Sequence, residues 1–225
     1  VWLVGMRRLV AWKPVVGVTP APLSAFMRFG ASVLGIEFVK AVRAQADKLI
    51  VGAVLGTEAL GIYFFAFNAG VGISTSLATA LSTVLFPYLS TSGDRTLALK
   101  RGLMLAMTAI SVVALAQSFA ASSYVSLVFG SQWASVAPLV AILCLTAIPN
   151  MLWSVAAQWL RSGGRADREL LLSMASGVTI TAAVLVAAPH GLHVLAWTTL
   201  VVATIAQVAV SLPVLVKAFG ARTGH

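Results

Sequence analysis

The chain predicts an all-α fold, a polytopic membrane helix bundle of six transmembrane helices. Three observations lead there. The composition, 60% hydrophobic and 9% charged with a mean hydropathy of +0.98, leaves too little polar surface for a soluble domain of 225 residues. The apolar residues gather into six runs, near 29–53, 61–90, 102–127, 135–160, 170–188 and 194–216, most of them longer than the roughly 20 residues a helix needs to cross the hydrocarbon core. Finally, the cations outside the runs fall on every second connection. Arg7, Arg8, Lys13 and Arg28 precede the first run; Arg95, Lys100 and Arg101 follow the second; Arg161, Arg165 and Arg168 follow the fourth; Lys217 and Arg222 follow the sixth. The intervening connections, near 54–60, 128–134 and 189–193, hold only Glu58, His190 and His193 as ionisable groups. Cytoplasmic loops retain Lys and Arg, so both ends of the chain are expected on the cytoplasmic side of a plasma membrane.

The first run carries the chemistry. At 100° per residue, Glu37, Lys40, Arg43, Asp47 and Lys48 fall within an arc of roughly 140°, while Leu34, Phe38, Val39, Val42 and Leu49 fill much of the remainder. A charge facing lipid costs about 2.5–3.5 kcal/mol at mid-bilayer, so this ionic face is expected to look into the bundle, a hydrated cavity or the interface. Glu37 with Lys40, and Arg43 with Asp47, have the spacing of helical ion pairs. Lys48 has the reach to snorkel towards an interface. Gly52 and Gly56 form a GxxxG pair at the end of the run, a candidate packing contact.

The second run opens at Gly61-Ile62-Tyr63, with Tyr63 expected as an interfacial anchor, and ends near Pro87-Tyr88. Its middle, Asn68 to Ser76, is small and weakly polar, suited to close helix approach or to a bend. In later runs Gln117, Asn150, Gln158 and Gln207 are single polar residues expected to bond between helices, and Pro149 is expected to kink the fourth run. Trp133, Trp159 and Trp197 sit near run ends, as an aromatic belt requires.

Several functions are disfavoured. The net charge of +9 is spread in short clusters at run ends, unlike the continuous patch that binds nucleic acid, and fits topology with contacts to anionic membrane lipids. No phosphate-cradling glycine loop appears. Cys144 is alone, so no internal disulfide can form, and His190 with His193 lack a third ligand; no metal, cofactor or catalytic residue is expected. The opening Val1 to Arg8 reads as the end of a preceding transmembrane helix, and residues 9–25, with Pro14, Pro20 and Pro22, as a linker. The expected division is therefore 1–25 as that tail and cytoplasmic linker, and 26–225 as a six-helix lobe.

Asp47-Lys48-Leu49-Ile50-Val51-Gly52, followed by Leu55-Gly56 and Ala59-Leu60-Gly61-Ile62-Tyr63, resembles a signature of polysaccharide transporters. These are the Wzx-like, lipid-linked oligosaccharide flippases of the multidrug/oligosaccharidyl-lipid/polysaccharide superfamily. Val84 to Pro87 with Ser90, Val128-Phe129-Gly130 with Trp133 and Pro138, and Gly163-Gly164-Arg165 agree with it in order and spacing, over about residues 25–218. The resemblance implies two six-helix lobes around a cavity, this chain being the C-terminal one and the N-terminal half of the same transporter its partner. It further implies movement of undecaprenyl-pyrophosphate-linked oligosaccharide across the bacterial inner membrane without ATP, for O-antigen, capsule or exopolysaccharide assembly.

On that resemblance Arg43, then Lys40, are the cations expected to meet the pyrophosphate. Asp47 would hold Arg43 or carry a coupling proton, Glu37 and Lys48 share its ion-pair or coupling role, and Asn68 is a polar cavity residue. A purely structural ladder of ion pairs is the competing reading of the same residues. Three other functions compete with the flippase, one of them a non-transporting assembly scaffold. A drug/cation antiporter of the same superfamily would favour acidic cavity residues. A membrane-embedded glycan polymerase or acyltransferase would need a large outer loop bearing catalytic acids or a histidine, and the outer connections here are a few residues long.

Overall fold

The computed structural model describes residues 23–220, and all of their regular structure is helical. The expectations for residues 1–22, for the side chain of Arg28 and for Arg222 lie outside the described residues. Helix α1 spans Leu23–Thr91, α2 Arg95–Phe129, α3 Ala137–Leu145, α4 Ala147–Ser162, α5 Ala166–Ala187 and α6 Leu192–Gly220. Short 3-10 turns at Ser131–Val136 and Ala188–His190 complete the described elements.

The 69 residues of α1 would stretch about 100 Å as one rod, some three times the thickness of a hydrocarbon core. They do not form one rod. At Gly56 the backbone takes φ 88° and ψ 177°, and the chain turns back on itself. Lys48 Nζ consequently lies 5.0 Å from the ring centre of Phe67, a residue that an unbroken helix would place about 28 Å further along the axis. Two arms result, 23–55 and 57–91, which correspond to the first two apolar runs. Five segments of the described residues are long and apolar enough to cross a membrane: Phe29–Thr91, Arg95–Phe129, Ser131–Ser162, Ala166–His190 and Leu192–Gly220. With the first folded into a hairpin, six apolar arms form the bundle.

Gly56 is thus a hinge, and the expected GxxxG packing motif is corrected. Only glycine settles readily in that backbone region, because any Cβ there collides with its own peptide groups. Gly52, its supposed partner, receives the side chain of Leu60 from the returning arm, so it serves the inside of the hairpin. Gly130 and Gly191 adopt similar conformations at the other two connections of the cation-poor end.

Two apolar clusters stack along the bundle axis. One fills the cation-poor end, with Val51, Tyr63, Val125, Leu143, Val184 and Leu195; the other fills the opposite end, with Leu89, Leu99, Ile110, Met151, Leu160 and Leu215. Polar bonds join the helices between them. Ser74 Oγ donates to Gln117 Oε1 at 2.6 Å, Gln117 Nε2 donates to the Gly70 carbonyl at 3.1 Å, and the Cys144 thiol donates to that same carbonyl at 3.3 Å. Gln207 Nε2 donates to Asn150 Oδ1 at 3.3 Å. The small middle of the second arm therefore serves close approach: a Cβ on Gly70 would stand 3.0 Å from the Val140 carbonyl oxygen.

Two sequence expectations move. Tyr63 is not an interfacial anchor but a core residue, 1% exposed, because the Gly56 turn swings the start of the second arm into the bundle. The break in the fourth run falls at Thr146, between α3 and α4, one turn before Pro149. A proline ring obstructs the carbonyl four residues back, here that of Leu145, so the distortion appears on the N-terminal side of the proline. Thr146 Oγ1 donates to the Leu143 carbonyl there at 2.7 Å. The outward faces are apolar, with Phe119, Leu127, Leu34 and Phe38 between 70% and 88% exposed, as a lipid-facing surface requires.

Two outcomes are expected from these backbone constraints. Gly56→Ala meets no neighbouring atom yet forces an unfavourable conformation, so it is expected to lower stability by about 1–3 kcal/mol, read as a fall in apparent Tm in detergent. Gly70→Val is expected to cost a similar ~1–3 kcal/mol by overpacking against Val140, whereas Gly72→Ala, which faces open space, is expected to leave the transition unchanged or slightly raised.

Candidate functional site: an ionic groove beside the helical hairpin

Part of the ionic face of the first arm borders a groove inside the bundle, while Glu37 and Lys40 are about half exposed. Lys40, Arg43, Asp47 and Lys48 line a groove of about 340 Å³ whose other walls come from the second arm, α3, α4, α5 and α6. Opposite this face of the arm, Leu34, Phe38, Val42 and Leu49 are 52–73% exposed on the outside. Val39, expected with them, instead borders the groove. The arm lies along α5: the Leu170 side chain fills the space beside Gly35, and Gly177 leaves room for Val39 and the stem of Arg43.

The charges differ in how they are held. Lys40 Nζ donates to Glu37 Oε1 at 3.0 Å, the spacing expected for an ion pair one turn apart, and both residues are exposed. Glu37 itself lies outside the groove lining and is also approached by Arg161 NH2 at 3.4 Å. Lys48 does not reach for an interface; its ammonium lies 5.3 Å and 5.0 Å from the ring centres of Phe64 and Phe67 on the returning arm, where the ring faces attract a cation. Arg43 and Asp47 lie within electrostatic reach of each other and of Tyr63, yet no salt bridge or hydrogen bond joins them. Asp47 Oδ1 is buried with no hydrogen-bond partner. The expected Arg43–Asp47 pair is therefore an electrostatic association without a direct bond.

Asn68 is not brought to the groove. It is exposed, and its Nδ2 bonds back to the Phe64 carbonyl of its own helix at 2.7 Å. The polar lining of the second arm comes one to two turns later, from Ser74 and Thr75.

Other polar residues of the groove were not singled out as site residues from sequence. Glu169 is 1% exposed and takes a two-point bond from Arg161, 3.0 Å from Nε and 2.6 Å from NH2. The signal was present in a weak form: Arg161 closes α4 and Glu169 opens α5, each favourably placed for its helix dipole. Asn150, Gln158 and Gln207 line the groove too, and Gln158 Oε1 and Gln207 Oε1 are buried without partners.

The lining carries three cations, Lys40, Arg43 and Lys48, against two acids, Asp47 and Glu169. Because Arg161 already satisfies Glu169, the first arm presents 3 − 1 = +2 to the groove. Such a site suits an anionic, oxygen-rich group: a guanidinium can bind two oxygens at once, and in a partly dry groove its charge-assisted hydrogen bonds are stronger than in water. Apolar walls from Val71, Leu143 and Trp153 stand beside these charges. Among the described residues, no three His, Cys, Asp or Glu side chains gather in a way that could hold a metal ion.

Known proteins resemble the chain over most of its length. It is 24% identical over 161 residues to the teichuronic acid biosynthesis protein TuaB of Bacillus subtilis, covering 69% of this chain and 33% of that protein. It is 22% identical over 160 residues to the lipopolysaccharide biosynthesis protein WzxC of Escherichia coli, covering 69% and 32%. A shorter stretch of 56 residues is 36% identical to the amylovoran biosynthesis protein AmsL of Erwinia amylovora, covering 25% and 14%. The chain spans about a third of the length of the first two relatives. No solved structure matches it. Residues 1–138 match the family described as polysaccharide biosynthesis protein, in agreement with the resemblance carried by Asp47 to Tyr63, and the chain belongs to that family.

Proposed function

We propose that this chain is one lobe of a secondary transporter that flips undecaprenyl-pyrophosphate-linked oligosaccharide across the bacterial inner membrane for the assembly of a surface polysaccharide. The observation that carries the reading is the inward turn of Lys40, Arg43 and Lys48 into a groove with apolar walls. A pyrophosphate on a lipid needs cations sheltered from water together with an apolar path for its tail, and the groove offers both chemistries. The relatives' roles in teichuronic acid and lipopolysaccharide biosynthesis favour a glycan cargo.

Arg43 is the principal cation on this reading, with Lys40 beside it and Asp47 keeping the guanidinium in range. The N-terminal half of the same transporter is the partner that closes the chamber. Cations outnumber acids in the lining, which favours an anionic cargo over the cationic substrates of an antiporter. The protein acts as a carrier and not as an enzyme, so no bond of the glycolipid is made or broken.

Two measurements test this. In cells that depend on the full-length protein, Arg43→Ala is expected to cut surface polysaccharide about tenfold or more, the loss of one charge-assisted contact. Membrane abundance should stay unchanged, and Arg43→Lys should restore part of the export. Normal export from Arg43→Ala would refute the assignment, and a parallel fall in abundance would favour the structural ion-pair ladder instead. The second measurement addresses orientation, with single cysteines placed in a Cys144→Ala background. Positions Thr57, Ser131 and His190 are expected to react with an impermeant maleimide from the periplasmic side, while Ser92 and Arg165 stay protected. The reverse pattern would place the cation-rich end outside and overturn the reading.

A further inference from the structure

A second groove lies at the cation-rich end of the bundle, and it shares no lining residue with the ionic groove. Its volume is about 500 Å³, and four cations line it: Arg95, Arg165, Arg168 and Lys217. They come from three separate places in the chain, the start of α2, the turn into α5 and the end of α6. No acidic side chain is part of its lining. Glu169, which follows Arg168 in α5, lines the ionic groove instead and is bound by Arg161.

Arg95 is the fixed member of the set. Its guanidinium lies 4.6 Å from the Trp159 ring centre and donates to Ser162 Oγ at 2.9 Å, while its Nε is buried without a partner. The backbone at Gly163 passes close to the same guanidinium, within van der Waals range of its NH2. Arg165, Arg168 and Lys217 are exposed and free to swing in. Below the cations the walls turn apolar, with Leu172, Val210, Pro213 and Val214 from α5 and α6.

We propose that this groove is a binding site for one anionic membrane phospholipid, its phosphate held among the four cations and its first acyl chain lying on the α5–α6 wall. Four like charges around one cavity repel one another, and a phosphate relieves that repulsion while accepting hydrogen bonds from several donors at once. The cations cluster at helix ends, the depth at which headgroups sit, and the apolar wall continues from them along the helices, so polar and apolar parts follow the order of a phospholipid. The assignment does not rest on the proposed transport of a glycan.

The test uses the protein purified in an uncharged detergent, stripped of lipid, and titrated with phosphatidylglycerol or with phosphatidylcholine of the same acyl chains, bound lipid being counted by native mass spectrometry. Phosphatidylglycerol is expected to bind at least about tenfold more tightly. Each cation removed near the phosphate should weaken it about fivefold, so Arg165→Gln with Arg168→Gln should cost about 25-fold and Lys217→Gln alone about fivefold. Lys100→Gln with Arg101→Gln, on exposed cations that do not line the groove, should change nothing. Equal binding of the two lipids, or an equal loss in the Lys100/Arg101 variant, would reduce the effect to general surface charge and overturn the site. Displacement of phosphatidylglycerol by inorganic phosphate, or by undecaprenyl pyrophosphate in a manner abolished by Arg165→Gln with Arg168→Gln, would assign the groove to another ligand and likewise overturn the proposal.

Discussion

The cost of exposing charge to hydrocarbon governs this fold. The first arm carries five ionisable side chains within three turns, Glu37 to Lys48, in a segment otherwise apolar enough to span a membrane. At a few kcal/mol for each charge left facing lipid, the arm gains stability only by turning that face towards other protein. The Gly56 hinge provides the first part of the solution. By folding the chain back, it sets Phe64 and Phe67 over the Lys48 ammonium and Tyr63 near Arg43 and Asp47. Helix α5 provides the second, packing along the arm with Leu170 against Gly35 and with Val39 and the Arg43 stem beside Gly177. The groove is then a consequence of the charges, for helices cannot pack as tightly around arginine and lysine as around leucine and alanine.

The helix bundle was legible because its signals are long and redundant. Six apolar runs, the alternation of cations and the absence of polar surface all depend on many residues, so no single exception could conceal them. The clustering of the charges on one face was legible for the same reason, since five charges and the apolar residues opposite them define a helix face regardless of neighbours. What escaped was set by single residues in three dimensions. Tyr63 next to a presumed interface reads as an anchor, and only the sharpness of the Gly56 turn puts it inside. Asn68 reads as a cavity residue, but its side chain satisfies itself on the Phe64 carbonyl and leaves the lining to Ser74 and Thr75. Glu169 directly follows Arg168 in sequence, and its burial depends on Arg161 eight residues earlier, across a Gly163-Gly164 turn that brings the two helix ends together.

Two ion-pair systems among the described residues of the cation-rich end differ in kind. Arg161 with Glu169 is a buried, two-point contact between α4 and α5, and removal of either partner would strand a charge away from water. Glu37 with Lys40 is an exposed pair on a single helix, worth a few tenths of a kcal/mol. The 3.4 Å contact of Arg161 with Glu37 joins the two systems and so ties the first arm to the α4–α5 corner. That link is the weakest of the set and partly solvent-exposed, which makes it the contact most easily given up if the arm shifts relative to the rest of the bundle.

Distribution of polarity along the axis follows the same economy. Apolar clusters fill both ends of the bundle, and the bonds that cross between helices concentrate where the clusters meet, around Gly70, Ser74, Gln117, Cys144, Asn150 and Gln207. Each of these bonds satisfies a polar group that lipid could not, so each favours one register of helix against helix over its neighbours. The orphaned oxygens of Asp47, Gln158 and Gln207 are a different case, because they are buried beside an open groove and not inside a packed layer. A wholly structural cluster would gain by pairing them with donors. Polar atoms beside open space thus mark this groove off from the sealed contacts that hold the rest of the bundle in register, while Ser211 Oγ, which lines neither groove, shows that a packed layer too can hold an unpartnered hydroxyl.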